Sequence, residues 1–262
     1  MDMIRMMMIG DVFGRSGRRA LRDNIPDLLN EYKIDFIIAN GENAAGGKGI
    51  TRETALEIFN LGVDVITLGN HVWNKKEVIP FLSKEHRLIR PYNYPPEVPG
   101  AGFGLFTTKL GDIIGVVNVS GRVFMSELDC PFRCAEQAVS IIEEKTPLII
   151  LDFHAEATSE KAALAYYLDG RVSAVCGTHT HVQTADERIL EGGTAFITDI
   201  GMTGPYESII GMNKEQVINK FLTQMPHRFD AVDGLYQFNA VIIDINKHTG
   251  RAIVIRRIQN LE

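Results

Sequence analysis

The chain has 262 residues, 45% of them apolar, with 27 basic against 33 acidic side chains and a net charge of −6. That apolar share supplies a full core, while the acidic balance and the lack of a long basic run argue against stable binding to nucleic acid, which needs clustered Lys and Arg. No apolar run approaches the ~20 residues of a membrane span, and Met1 to Gly10 (MDMIRMMMIG) is too short for a secretory leader and lacks a small-residue cleavage site.

From the N-terminus, Ile4 to Ile9 (IRMMMI) is an apolar run of strand length. Gly17 to Tyr32 has helical spacing, with a break expected at Asn24–Ile25 and a second short helix opened by Pro26, since proline suits a first turn and not an interior. Phe36 to Ala39 (FIIA) reads as a strand, Arg52 to Leu61 as a helix and Val65 to Leu68 (VITL) as a third strand. Arg90 to Gly104, rich in proline and glycine, reads as a surface loop. Phe103 to Lys109 and Ile113 to Val119 then flank Leu110-Gly111-Asp112 as a hairpin. The alternation resumes with a helix over Cys134 to Glu144, a strand over Leu148 to Phe153 (LIILDF), a helix over Ser159 to Leu168 and a strand over Val172 to Cys176 (VSAVC). Ala240 to Ile245 and Ala252 to Arg257 form a second hairpin around Asn246 to Gly250. The three cysteines, Cys130, Cys134 and Cys176, make no CxxC pair and read as buried free thiols of a reduced, cytoplasmic setting. Strands alternating with helices, plus hairpins, predict an α/β chain with one mixed sheet or two packed sheets. With no internal repeat or low-complexity tract, one domain over 1–262 is expected.

The chemistry sits where the strands stop. MMMIG is followed by Asp11, FIIANG by Glu42 and Asn43, VITLG by Asn70 and His71, LIILDF by His154, and AVCGT by His179 and then His181. Sites in open α/β sheets form at strand carboxyl ends, where several loops converge. Taken singly, each residue has a bland reading: a hydrogen-bonded structural histidine, or a turn or helix cap for Asp and Asn. Together they make four His, two Asn and two carboxylates, a ligand inventory of N and O donors without thiolate. His179 and His181 strengthen it, because i and i+2 side chains of an extended segment point the same way. Eight donors exceed what one four- to six-coordinate ion uses, so two ions acting as a clamp on phosphoryl oxygens are expected. Ligand chemistry alone leaves iron, manganese, zinc, cobalt and nickel open.

Six segments resemble the calcineurin-like metallophosphoesterases, and more closely their YmdB-like bacterial branch. They are GDVFGRSGR (Gly10 to Arg18), NGENAAGGKGIT (Asn40 to Thr51), LGNHVW (Leu68 to Trp73), DFHAEATSEK (Asp152 to Lys161), GTHTHVQTAD (Gly177 to Asp186) and TDIGMTGP (Thr198 to Pro205). The resemblance implies two mixed β-sheets packed as a sandwich and flanked by helices, four layers in the order α/β/β/α. It also implies a 2′,3′-cyclic nucleotide 2′-phosphodiesterase working by hydroxide attack at a di-metal centre. Asp11 and His181, completed by Asn43, would hold the first ion; Glu42 would bridge; Asn70, His154 and His179 would hold the second; and His71 would be the proton donor. Iron is the metal the resemblance favours, with manganese or zinc as alternatives. A small cyclic nucleotide is the expected partner, no membrane is expected, and a homo-oligomer is left open. Where many members of the wider superfamily have Asp-x-His, this chain has Asp11-Val12-Phe13, and where they have a bridging Asp it has Glu42; both departures suit the narrower branch.

Other residues have two readings each. Gly46 to Gly49 (GGKG) lacks the Ser/Thr of a P-loop and reads as a site rim. Arg122 is either a phosphate contact or a surface ion pair. Phe13 and Trp73 either stack on a base or pack in the core. Asp152 and Glu156 either orient His154 from behind or cap the following helix.

Overall fold

The computed structural model describes residues 2–262; Met1, the first residue of the N-terminal run, lies outside them. The N-terminal part contributes β1 (Met3–Ile9), β2 (Asp11–Val12), α1 (Gly14–Tyr32), β3 (Phe36–Asn40), α2 (Arg52–Asn60), β4 (Val65–Thr67), α3 (Ile79–Leu82) and β5 (Leu88–Ile89). The middle contributes β6 (Phe103–Thr107), β7 (Ile113–Ser120), α4 (Pro131–Ile142), β8 (Ile149–His154), α5 (Thr158–Tyr167), β9 (Ala174–Thr178), β10 (Arg188–Ile189) and β11 (Ala195–Ile197). The chain then returns through β12 (Met202–Pro205), α6 (Lys214–Thr223), β13 (Tyr236–Asn246) and β14 (Ala252–Leu261).

Two mixed sheets result. The first runs β2-β12-β13-β1-β3-β4-β5, with β14 on the free side of β13; the second runs β10-β11-β9-β8-β7-β6. In the first, β1, β3, β4 and β5 are parallel and β13 is antiparallel to β1. In the second, β7, β8, β9 and β11 are parallel, with antiparallel β6 and β10 at its edges.

Burial explains why the central strands read as apolar runs and not as alternations. Met6 and Met8 of β1 face the core between the sheets, with Ile150 and Ala174 opposite, while Met7 and Ile9 face Leu21 and Ile25 of α1. On the far side, Ile149 and Leu151 of β8 pack with Val139 of α4 and Leu164 of α5. A strand covered on both faces has no polar side to show. Three cores separate four layers, helix, sheet, sheet and helix, as the family resemblance implied.

Three expectations are corrected. Helix α1 does not break before Pro26 but runs unbroken to Tyr32. Leu21, Ile25 and Leu28 are buried on one face across the proline, and the Asn24 amide donates to the Ala20 carbonyl at 2.9 Å, so packing outweighs the lost backbone bond. Arg90 to Gly104 is not wholly a surface loop, because Arg90 and Asn93 are buried. The Arg90 guanidinium donates to the carbonyls of Pro91, Val98 and Pro99, and the Asn93 amide donates to those of Ser120 and Asp129. All three cysteines are free, but only Cys176 is fully buried; Cys130 and Cys134 are half-buried. No helix among the described residues is long and apolar enough to cross a membrane.

Candidate metal centre

Strand register decides where the polar residues emerge. In the first sheet Ile9 lies opposite Ala39, and Asn40 opposite Thr67; in the second, Ser120 lies opposite His154, which lies opposite Thr178. The carboxyl ends of β1, β3 and β4 are therefore level, as are those of β8 and β9. The residues just beyond them meet along one edge of the sandwich, and all eight sequence candidates are brought together there.

They fall into two adjoining groups. In one, the His154 Nε2 lies 3.1 Å from Glu42 Oε1, 2.9 Å from Asn70 Oδ1 and 3.0 Å from His179 Nδ1. One donor atom from each of Glu42, His154 and His179 lies within 4.8 Å of the others, a grouping able to hold a metal ion. A Cβ on Gly69 would collide with His154 Nε2 and Glu42 Oε2, so only glycine leaves room for these side chains over the backbone just beyond β4. In the other group, His181 Nε2 lies 3.2 Å from Asn43 Nδ2 and 3.7 Å from Asp11 Oδ1. Glu42 Oε1 also accepts from Asn43 Nδ2 at 3.2 Å and so touches both groups.

The hydrogen bonds fix which ring nitrogens face inward. Thr178 donates its single hydroxyl proton to Asp152 Oδ1 at 2.7 Å, so it accepts from His154 Nδ1 at 3.0 Å. Asp152 is held in turn by Thr67 Oγ1 and by Asn40 Nδ2. His154 thus carries a proton on Nδ1 and turns Nε2 toward the site, the arrangement expected of a ligating imidazole with an anchored outer nitrogen. Asp152 orients His154 through Thr178 and not by direct contact. His181 is set likewise: its Nδ1 donates to the Ile210 carbonyl at 3.0 Å, which leaves Nε2 facing Asn43 and Asp11. Glu156 bonds His179 Nε2 at 3.1 Å instead of orienting His154, and neither Glu156 nor Asp152 caps α5, whose N-cap Ala157 makes no side-chain bond. Asn43 presents its amide nitrogen to Glu42 and His181 and its oxygen to His71 Nδ1, at 2.8 Å; ligation through oxygen requires this amide to turn over.

The electrostatics favour positive charge at the site. Asp11 is wholly buried; Oδ2 accepts the His179 backbone N–H at 3.1 Å, but Oδ1 has no partner. Burial raises its pKa to about 6, against the pull of His181 and His154. An orphaned buried carboxylate oxygen beside an imidazole lone pair is costly unless a positive charge joins it. Glu42 is also buried, which acts to raise its pKa, yet His154 and His71 bring it down to about 2. For His154, burial pulls downward, and the Glu42 carboxylate overcomes it and raises the pKa to about 9. A positive charge between Glu42 and His154 is therefore demanded, and a proton or a metal ion can supply it. Burial and the neighbouring His154 drop His179 to about 3, which leaves it a neutral donor. The donor set of carboxylates, imidazoles and amides fits a transition metal of borderline hardness.

Sequence reasoning missed what holds the histidine loop. His179 and His181 both have positive φ, 100° and 69°, a conformation that non-glycine residues rarely adopt. Between them Thr180 gives both its backbone N–H and its hydroxyl to Asp199 Oδ2, at 3.0 and 2.7 Å. The same oxygen takes the ammonium of Lys161 at 2.7 Å, in an ion pair with both side chains fully buried. Asp199 and Lys161 lie in TDIG and SEK, segments quoted above, but nothing in one strand's pattern shows that they meet. The two strained histidines contradict a simple extended i, i+2 pair; their convergence comes from the turn.

The site cavity, about 290 Å³, is lined among others by Glu42, Asn43, Gly47, His71, His179 and His181. Gly47 thus places the GGKG segment at the rim. Arg122 lies apart, on a different surface pocket with Glu160, and makes no ion pair among the described residues. Trp73 packs edge-on against Tyr94, and the buried Phe13 ring stands edge-on to His181 at 5.9 Å, so both are packing residues.

Known proteins match nearly the whole chain. The profile of the YmdB-like protein family matches residues 7–258. A Bacillus subtilis protein named 2′,3′-cyclic-nucleotide 2′-phosphodiesterase is 48% identical over 255 residues, covering 97% of this chain and 96% of the relative. The crystal structure of a hypothetical protein from Thermus thermophilus superposes with a TM-score of 0.92 at 45% identity, covering 99% of this chain and 100% of the other. That of a novel phosphatase from Mycoplasma pneumoniae gives 0.94 at 33% identity, covering 100% and 95%. With the match running nearly end to end and the ligand-type residues gathered at the strand ends, the chain belongs to the YmdB-like family.

Proposed function

We propose that this chain is a metal-dependent phosphodiesterase that opens 2′,3′-cyclic nucleotides at a two-ion centre, with His71 as proton donor to the departing ribose oxygen. One observation carries the reading: Glu42, His154 and His179 converge within 4.8 Å beside an Asp11 oxygen that has no partner. The name of the Bacillus subtilis relative supplies the substrate class. Two ions, when bound, neutralise charge on phosphoryl oxygens and lower the pKa of a water. Asp11, His181 and a turned Asn43 would hold one, Asn70, His154 and His179 the other, and Glu42 both. Iron is the metal we favour, and manganese and zinc suit the same donors.

His71 is placed differently from the ligands. Its backbone N–H donates to Glu42 Oε2 at 3.0 Å, and its Nδ1 lies 2.8 Å from Asn43 Oδ1, a position from which the turned amide would donate through Nδ2 instead. Those bonds fix the ring and leave Nε2 as the nitrogen that can face a substrate in the cavity, where the side chain is 27% exposed. Burial lowers its pKa, countered by Glu42, and the negative phosphate of a bound substrate acts in the direction of protonation. The hydroxyl lining the cavity, that of Thr180, is committed to Asp199, which supports direct attack by water over a covalent intermediate. Because ligands come from both sheets, we take 1–262 to act as one domain. The three free cysteines support a cytoplasmic setting.

The test is kcat/KM on 2′,3′-cyclic AMP, 3′,5′-cyclic AMP, 5′-AMP and a short RNA, since that ratio measures discrimination. The 2′,3′-cyclic ester is expected to lead. A preference for 5′-AMP would make the chain a phosphomonoesterase, and one for RNA a nuclease. Nucleotide binding without turnover would make it a regulatory protein.

A further inference from the structure

Beside the histidines the cavity changes character. Its far wall is apolar, made by Phe13, Ile210, Met212 and Phe229, and the last three also line an adjoining groove of about 410 Å³. At about 290 Å³ the metal-side cavity alone falls just under the ~300–1,000 Å³ usual for small-molecule sites, whereas cavity and groove together fall within it.

The element that separates them is strained. Ile209 and Met212 exchange both backbone hydrogen bonds at 3.0 Å around Ile210 and Gly211, whose φ values are 47° and 99°. Positive φ at both centres is the type I′ hairpin pattern, where Asn-Gly is favoured. A β-branched residue there is an outlier, and such outliers cluster at functional sites. The Ile210 carbonyl receives the His181 ring proton, while its side chain stays 51% exposed. Any residue offers that carbonyl, so anchoring His181 does not account for isoleucine. Gly211 must be glycine, since a Cβ would reach the Phe13 ring at 2.5 Å.

Phe229, 37% exposed, is held beside this turn. Met212 bridges Ala231, Val232 N–H donates to the Gly211 carbonyl, and Asp230 exchanges two 2.8 Å bonds with the Gln216 side chain of α6. A rigid, solvent-facing apolar wall thus begins where the metal-ligand set ends.

We propose that Ile210 and Phe229 form the subsite for the heterocyclic base of the nucleotide whose phosphate lies at Glu42 and His71. This rests on the phosphodiesterase reading above. A base offers an apolar face to any aromatic or aliphatic wall, whatever its hydrogen-bonding edge. The continuity of the groove with the site cavity favours a piece of the substrate over a separate partner.

The test uses the metal-loaded full chain and two substrates, 2′,3′-cyclic AMP and the 2,3-cyclic phosphate of ribose lacking a base. For the wild type the kcat/KM ratio should favour the nucleotide by about fivefold or more, the low end of what one base–aromatic contact contributes. Phe229→Ala should bring the ratio toward one, chiefly through KM. Ile210→Asn should do the same while raising the thermal midpoint, because Asn suits the turn and keeps the carbonyl for His181. Calorimetry with 3′-AMP and ribose 3-phosphate reads the subsite independently: preference for 3′-AMP, lost in Phe229→Ala, supports it even if neither cyclic ester is hydrolysed, a result that would sink only the phosphodiesterase reading. Equal treatment of the two substrates by the wild type, or ratios unchanged in both variants, overturns the subsite. Sedimentation showing that Phe229→Ala dissociates an oligomer, with base discrimination intact, would assign the groove to a second copy instead.

Discussion

Replacing His71 by Ala is expected to slow turnover of 2′,3′-cyclic AMP by roughly 10²–10⁴-fold, the usual worth of a general acid. That is about 3–5 kcal/mol of barrier. Metal content should stay that of the wild type, because the His71 ring bonds Asn43 through Nδ1 and stands outside the Glu42, His154 and His179 grouping. The loss should appear in kcat more than in KM, since a proton donor acts on the transition state. Elemental analysis beside steady-state kinetics separates the roles. A variant that loses its ions as well as its activity would make His71 a ligand.

Glu42→Gln should behave in the opposite way. The substitution keeps the shape of the side chain but removes the negative charge that both ligand groups share. It should cost more than ~100-fold in metal affinity, above the 10–100-fold typical of groups one step further from a metal. Activity should fall in parallel and recover only in part with excess metal. The backbone bond from His71 can still be accepted by the amide oxygen, so the fold should persist by circular dichroism. Undiminished metal retention in Glu42→Gln would remove the residue from the centre.

The opposite expectations for two neighbouring residues show how far the sequence can be read. Strand ends were legible because strands buried on both faces are unbroken apolar runs, and a polar residue straight after one stands out. Asp11, Glu42, Asn70, His154 and His179 could therefore be found without a structure. Their division into two groups could not, and came from the family resemblance. The anchoring partners were hidden for another reason. The Thr178 hydroxyl linking Asp152 to His154, and the buried Lys161–Asp199 pair under Thr180, join segments far apart in sequence. Short elements were missed because they carry no period: β2, β5 and β10 are two residues long, and α6 buries only Val217. Pro26 misled because local proline chemistry favours a break, whereas a core face running through Leu21, Ile25 and Leu28 holds the helix together. The strained turn at Ile210 left no mark in the sequence, because isoleucine followed by glycine is not a turn signal.

If the strand-end residues hold two ions on which hydrolysis depends, metal analysis of wild-type protein purified without added metal will show it, with turnover of 2′,3′-cyclic AMP followed through chelation and metal return. The expected result is about two transition-metal ions per chain, activity lost as they are removed and restored as they are replaced. A metal-free chain that hydrolyses the cyclic ester at the full rate would contradict it.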